Sequence, residues 1–321
     1  MSRFGSRLLA AIGGLAVGAL FLALAFRTTP PREVERVLAG GDWGWPALEV
    51  LAATAGFVLA KAWRWRLLLG PAPRLPLRAL LPPVLAGLAL NALLPHSGEF
   101  VRAFGLKRSA GRAPGAVLSS IVAERVFDLF GVLLIGGAAL GSVDAPPALG
   151  AALRLVAALA LIAAVAIGLA LRYPALPRAL GAALARPLPA GAGAWLTGQV
   201  ASALEGFAPV RSAHTSLRVL GWSVLQWLAV AVMVHGCGAI AGAALGAAAC
   251  CLVVVGIVVA FLLPNAPGYA GSIQVAFLVV LAPLGVAEAR TLAASVAYQL
   301  LVVLPLIAGG LACLRATLKE R

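Results

Sequence analysis

The longest uncharged stretch of the chain is the feature that limits its fold most. Between Val219 and Ala287, 69 consecutive residues include no Asp, Glu, Lys or Arg. A soluble domain carries roughly a quarter of charged residues, whereas this chain of 321 residues has 11% and a mean hydropathy of +1.01. The apolar runs lack the alternation that barrel strands require. We therefore expect an all-α integral membrane protein, with residues 1–321 forming a single polytopic domain.

A transmembrane helix needs about 20 apolar residues, and about six segments meet that requirement. We expect full spans at residues 8–26, 46–69, 114–140 and 155–171, another that starts at 219, and a last one at 291–314. The polar segment at about 190–218 places Leu196, Val200, Leu204 and Phe207 on one helical face. It is therefore expected to lie at the membrane interface.

Two shorter apolar segments are broken at similar sequences, Leu93-Leu94-Pro95-His96-Ser97-Gly98 and Leu262-Leu263-Pro264-Asn265-Ala266-Pro267-Gly268. They predict re-entrant helical hairpins at 79–106 and 245–283, oppositely oriented within half-repeats of about 46–140 and 219–314. Interrupted segments at matching places in two halves are typical of an inverted repeat. The hairpin turns are expected at Pro95, Gly98, Pro264, Pro267, Gly268 and Gly271.

Basic residues set the expected orientation. A re-entrant first hairpin puts the basic residues on both sides of it in the cytosol, as the positive-inside rule favours. Both chain ends are then cytosolic. Lys61 and Arg64, near the end of the second span, are expected to snorkel to the cytosolic interface as basic contacts.

Three ionisable residues, Glu124, Arg125 and Asp128, interrupt the apolar segment 114–140. Charge at membrane depth is costly and usually faces a cavity. Glu124 and Asp128 share a helix face, and Arg125 can reach Asp128. The surplus carboxylate requires a second cation, either Arg102 or a bound ion, or else a proton. An ion-pair staple between helices is the structural alternative.

The breaks supply further candidate binding residues. Half-helix amino termini favour anions, and a guanidinium such as that of Arg102 suits phosphate. No catalytic residue, metal site, cofactor or nucleotide-binding motif is expected. The predicted substrate-binding residues are His96, Ser97, Glu99, Arg102, Glu124, Arg125, Asp128, Asn265, Tyr269, Gln274 and Gln299.

The runs from Leu94 to Arg102 and from Ser119 to Asp128 resemble the lysylphosphatidylglycerol synthase transmembrane region family, also called flippase-like. Arg64-Trp65 and the Pro-x-x-Pro-Gly run that begins at Pro264 are similar to it too. The resemblance extends from about Arg7 to Leu314. It implies a multi-pass protein of the bacterial inner membrane that moves lipids between leaflets.

The resemblance also implies a difference from members fused to a soluble aminoacyl transferase domain. Stand-alone members are associated with polyprenyl-linked sugar, glycolipid or hopanoid pathways, and this chain is not expected to synthesise lysylphosphatidylglycerol by itself. Family members often carry Glu after the Pro-Gly turn and Arg in the last span. Here Gln274 and Gln299 stand at those places. The loss of both charges together is consistent with a hydrogen-bonded pair that replaces an ion pair.

The resulting hypothesis is a flippase that moves an anionic lipid, a polyprenyl lipid or a glycolipid through a polar cavity in the membrane. A proton- or ion-coupled transporter of small solutes and a membrane-embedded lipid-phosphate enzyme are the alternatives. Membrane lipids are the expected partners, and nucleic acid is not expected. A homo-oligomer and lipid- or glycan-biosynthesis enzymes acting in trans remain open.

Overall fold

The computed structural model describes residues 16–70, 75–94, 97–143, 147–262 and 266–318. Over these ranges the chain forms helices, turns and short connections, with no strand. The first helices are α1 (Ala16–Ala25), α2 (Pro31–Ala39), α3 (Trp45–Leu68), α4 (Leu77–Leu93), α5 (Ser97–Ala110) and α6 (Pro114–Leu140). They are followed by α7 (Pro147–Arg172), α8 (Ala175–Ala185), α9 (Ala190–Gly206), α10 (Ala213–Ile240), α11 (Ala247–Phe261), α12 (Ser272–Leu281), α13 (Glu288–Tyr298) and α14 (Leu304–Leu318).

Four helical stretches are long and apolar enough to cross a membrane: Trp45–Leu68, Pro147–Arg172, Ala213–Ile240 and Glu288–Arg315. They correspond to four of the six predicted spans. Helix α6 has 27 residues and sufficient length, but it contains three ionisable residues. The predicted first span is described only over its second half, as α1. The chain is an all-helical, multi-pass membrane protein.

The two halves of the chain share one order of helix lengths. In the first half, α3 and α6 are long, with 24 and 27 residues, and the helices between them have 17 and 14. In the second half, α10 and the continuous stretch Glu288–Arg315 have 28 residues each, and α11 and α12 between them have 15 and 10. Each pair of short helices packs together as a hairpin.

The packing between the halves follows the same correspondence. Helix α3 packs on α10, α4 packs on α14, and α11 packs on α6. The α4–α14 and α11–α6 contacts are equivalent, because α4 corresponds to α11 and α14 belongs to the long stretch that corresponds to α6. Helices α3 and α10 are antiparallel, because Gly236 near the end of α10 packs on Pro46 and Val50 at the start of α3. At the opposite ends, the Trp63 and Trp222 rings lie 5.9 Å apart.

The predicted interfacial segment contains α9, and the apolar face of this helix contacts protein. Leu204 is buried, Phe207 packs with Leu68 and Ala123, and Val200 contacts Gly181 of α8. The side chain of Gln199 accepts a hydrogen bond of 2.7 Å from the backbone N–H of Gly115. Helix α9 is therefore fixed against the start of α6.

Only some of the residues predicted for the hairpin turns lie in a turn of the structure. Gly268 and Gly271 have φ of +71° and +83°, so the second turn uses the left-handed backbone that glycine permits. Pro267 begins a short 3-10 turn, Pro267–Tyr269. The assignment of Gly98 to a turn was wrong: it lies inside α5, and a Cβ there would be 2.0 Å from the Gly87 carbonyl oxygen. Pro95 and Pro264 lie outside the described residues.

Candidate functional site

Five charged side chains from three helices meet in the interior of the protein. We call them the buried cluster: Lys61 and Arg64 of α3, Arg102 of α5, and Glu124 and Asp128 of α6. Their exposed fractions are 6% or less. Helices α3 and α6 each supply two residues, which are three or four positions apart and therefore lie on one face of the helix. Helix α5 supplies one residue. The three faces meet at the buried cluster.

Glu124 is the centre of the buried cluster. Its Oε2 accepts a hydrogen bond of 2.6 Å from Nη2 of Arg102. Its Oε1 accepts one from Nζ of Lys61 and lies 3.1 Å from Nη2 of Arg64. Charge-assisted hydrogen bonds of this kind are about twice as strong as neutral ones. One carboxylate therefore holds α3 and α5 against α6.

Asp128 extends the buried cluster by one turn toward α10. Its Oδ1 lies 2.5 Å from Nη1 of Arg64 and accepts a 3.3 Å hydrogen bond from Nε2 of Gln226. Nη1 of Arg64 also donates to Oγ of Ser223 at 2.8 Å. Ser223 and Gln226 were missed from the sequence. The available signal was their spacing of three residues on a part of α10 that carries no Asp, Glu, Lys or Arg after Arg218.

Arg102 is held on its other side by an aromatic ring. Its guanidinium lies 4.1 Å from the centroid of the Trp65 ring, a cation–π contact that gains strength when it is desolvated. The indole N–H of Trp65 donates to Oγ of Ser120 at 3.0 Å. Arg102, one of the alternatives considered for balancing the surplus carboxylate, thus pairs with Glu124.

The predicted cytosolic role of Lys61 and Arg64 was wrong. Both side chains turn inward and bind the α6 carboxylates, because a buried carboxylate without a cation costs more than snorkelling gains. Three cations therefore face two carboxylates, and the buried cluster has a formal charge of +1. The sequence predicted a surplus of negative charge at this place, whereas the buried cluster has a surplus of positive charge.

Arg125 lies at the edge of the buried cluster and is half exposed. Its Nη2 contacts Oε1 of Glu99 at 2.6 Å, whereas its Nη1 is 4.0 Å from Oδ2 of Asp128. We call Arg125 and Glu99 the rim pair. The Arg125 side chain is 52% exposed and that of Glu99 15%. Arg125 follows Glu124 directly and so points about 100° away from it around the helix.

Asn91 links the rim pair to the first hairpin and was missed from the sequence. Its Nδ2 donates to Oε1 of Glu99 at 3.2 Å, and its Oδ1 accepts from the N–H of Gly98 at 2.8 Å. The hydroxyl of Ser97 donates to the carbonyl oxygens of Leu90 and Leu94 at the end of α4. Ser97 thus connects the two arms of the hairpin. The signal for Asn91 was a lone amide within an apolar helix.

Gln274 and Gln299 form a hydrogen-bonded pair, a point that the sequence left undecided. Nε2 of Gln274 donates to Oε1 of Gln299 at 3.2 Å. The remaining groups hold the second turn, since Gln274 accepts from the N–H of Gly271 at 2.8 Å and Gln299 donates to the Gly268 carbonyl at 2.5 Å. Gln299 also begins a π-helical turn, Gln299–Val303, a feature frequent at functional sites.

The second turn contacts the first hairpin. The 3-10 turn Pro267–Tyr269 packs on α4, and the ring of Tyr269 stacks on Phe261 at 4.1 Å. His96 and Asn265, two predicted substrate-binding residues, lie outside the described residues. In the described part of the chain, no group of three His, Cys, Asp or Glu side chains is placed so that it could hold a metal ion.

Removing the central carboxylate tests the buried cluster. Glu124→Gln leaves three buried cations facing one carboxylate, and loss of one partner of a buried pair costs about 3–5 kcal/mol. We expect a clear drop in the thermal unfolding temperature in detergent. Glu35→Gln, which neutralises an exposed carboxylate of α2, is the control. Equal stability of the two variants would contradict the central role of Glu124.

Replacing the glutamine pair by an ion pair tests its geometry. Gln274→Glu alone buries an unpaired carboxylate, which we expect to destabilise the protein by about 3–5 kcal/mol. Adding Gln299→Arg restores a partner and should recover most of that loss. The measurement is a double-mutant cycle of thermal stability, with the single Gln299→Arg completing it. Additive losses would show that the two side chains do not interact.

The comparisons with known proteins agree with the motifs that the site contains. No curated protein and no solved structure matches the chain. The family model described as the lysylphosphatidylglycerol synthase TM region matches residues 11–310, which include both hairpins, the buried cluster and the rim pair. The chain belongs to the lysylphosphatidylglycerol synthase TM region family.

Proposed function

We propose that the protein moves a lipid with an anionic head group, a polyprenyl lipid or a glycolipid between the leaflets of a membrane. One observation carries the proposal. The side chain of Arg125 is half exposed near the middle of a 27-residue helix. It is held there by a carboxylate from a short hairpin. The family supports a membrane lipid-related function.

The depth of Arg125 supports a polar cavity. A charged side chain near the bilayer centre costs roughly 2.5–3.5 kcal/mol by insertion scales, and such residues face protein or water. Arg64 and Arg102 are enclosed by protein, so among the described guanidinium groups of this site a ligand can reach that of Arg125. We assign it the direct contact with the head-group phosphate.

Charge balance supports an anionic ligand. The buried cluster and the rim pair together carry four cations and three carboxylates, a formal charge of +1. Oε2 of Glu99 has no hydrogen-bond partner among the described residues. A phosphate on Arg125 would balance the charge.

The two hairpins would form the path of the lipid head group across the membrane. Their helices have 10–17 residues, fewer than the ~20 that cross the hydrocarbon core. We propose that both hairpins re-enter the membrane from opposite faces as parts of an inverted repeat. The antiparallel packing of α3 on α10, and the equivalent contacts α4–α14 and α11–α6, support this arrangement.

The buried cluster then has a positioning role. Glu124 and Asp128 are occupied by guanidinium and ammonium groups, which favours transport over a carboxylate-dependent enzyme acting on lipid phosphate. We propose a bacterial inner membrane location with cytosolic chain ends and no enzymatic activity. Its partners would be membrane lipids and biosynthetic enzymes acting in trans.

Neutralising Arg125 tests the function. Arg125→Gln removes the accessible charge, and loss of a hydrogen bond to a charged group costs about 1.5–3 kcal/mol. That is about a tenfold or greater loss of rate. The measurement is translocation of a fluorescent phosphatidylglycerol in reconstituted vesicles. The protein should remain folded, because half of the side chain is exposed.

Arg218→Gln, which removes an exposed charge at the start of α10, is the matched control and should flip lipid at the unchanged rate. Unchanged flipping by Arg125→Gln would remove the site assignment. Transport of a small anion without any lipid movement, abolished by the same variant, would favour the solute transporter instead.

A further inference from the structure

A second candidate site lies on the outer side of the α3–α10 pair, away from Arg125. The two helices leave a groove of about 710 Å³ that is lined by side chains of both. Its walls include Leu48, Ala52 and Gly56 of α3, and Leu225, Leu228 and Val232 of α10. Small residues on α3 leave the space, since a Cβ on Gly56 would meet no atom within 4 Å.

Among the described residues, the groove is lined by α3 and α10 alone. Both helices qualify as membrane spans, and Leu48 and Leu225 are each more than half exposed. The groove extends from Trp45 to Gly56, which at 1.5 Å per residue is about 16 Å. The hydrocarbon core is about 30 Å thick, so the groove matches the depth of one leaflet.

The open end of the groove is marked by aromatic and charged side chains. Trp43 and Trp45 are exposed at the start of α3, as expected of residues at a membrane–water interface. One turn further in, Oε1 of Glu49 lies 3.1 Å from Nδ1 of His235. Glu49 lines the groove, and the His235 side chain is half exposed.

We propose that this groove binds one acyl chain of a phospholipid from the leaflet at the amino-terminal end of α3. The chain lies along the apolar walls, and the head group lies beside Glu49 and His235. A carboxylate and an imidazole together complement a zwitterionic head group, whose ammonium pairs with Glu49 and whose phosphate pairs with His235. Phosphatidylethanolamine has this chemistry.

This site goes beyond the proposed transport, because binding here requires no movement between leaflets. It also gives His235 a role that the sequence did not suggest. If the protein does translocate lipid, a chain-binding groove on the contact between the two halves would be a lateral place of entry.

Filling the groove tests the proposal. The protein is reconstituted in vesicles of phosphatidylethanolamine and phosphatidylglycerol in equal parts, with a trace of phosphatidylethanolamine that carries a photoreactive diazirine in one acyl chain. We expect labelling on α3 and α10 in the native chain. Gly56→Phe should reduce that labelling about tenfold, the effect of losing the burial of roughly two methylene groups.

The control is Gly168→Phe on the membrane span α7, because Gly168 is also exposed and a Cβ there meets no atom within 4 Å. It should leave the labelling of α3 and α10 unchanged. Ala52→Phe fills the same groove and serves if Gly56→Phe fails to fold. Glu49→Gln should reduce labelling by the ethanolamine probe to the level given by a phosphatidylglycerol probe.

Equal labelling of Gly56→Phe and the native chain would overturn the proposal, as would a native chain whose α3 and α10 are not labelled, the result expected if a second copy of the protein covers the groove. Arg125→Gln should keep full labelling. Loss of flipping in that variant, with labelling retained, separates the groove from the proposed transport site.

Discussion

Neutralisation of one buried carboxylate organises the first half of the molecule. Glu124 is fully buried, and a charge in that environment is tolerated only when it is paired and hydrogen-bonded. Three cations from two other helices meet that requirement. Helices α3 and α5 must therefore lie against α6 at this level. Gly87 of α4 allows the approach, because a Cβ there would lie 2.8 Å from the Arg102 side chain.

The charges of the protein divide into an enclosed set and an accessible one. The buried cluster fixes the helices, and the rim pair, which joins α6 to the first hairpin, offers Arg125 to the surroundings. The second half of the chain carries no equivalent charge at its turn. Gln274 and Gln299 take that place and hold the turn by hydrogen bonds. The two halves thus share a helix pattern but differ in electrostatics.

Features that depend on one helix could be predicted from the sequence. The apolar runs gave the all-helical membrane class, and the spacing of Glu124 and Asp128 gave their common face. Contacts between helices were left open by the sequence: Arg102, a bound ion or a proton could each have balanced the surplus carboxylate, and the pairing of Gln274 with Gln299 was undecided. Features that depend on which helix faces which could not be predicted. The sequence favoured the membrane interface for Lys61 and Arg64, but α3 faces α6 and both side chains bind its carboxylates. Ser223 and Gln226 bind the buried cluster because α10 packs beside it.

The most direct test of the account is the water accessibility of Arg125 in a membrane. In a background without the native cysteines, Arg125→Cys should react with a water-soluble, anionic thiol reagent, because the thiolate needed for reaction forms only where water has access. Ile162→Cys on the membrane span α7, where Ile162 is even more exposed than Arg125, should not react with the anionic reagent in the membrane and should react once the protein is unfolded in detergent. An unreactive cysteine at position 125, or equal behaviour of the two positions, would contradict a polar cavity at Arg125.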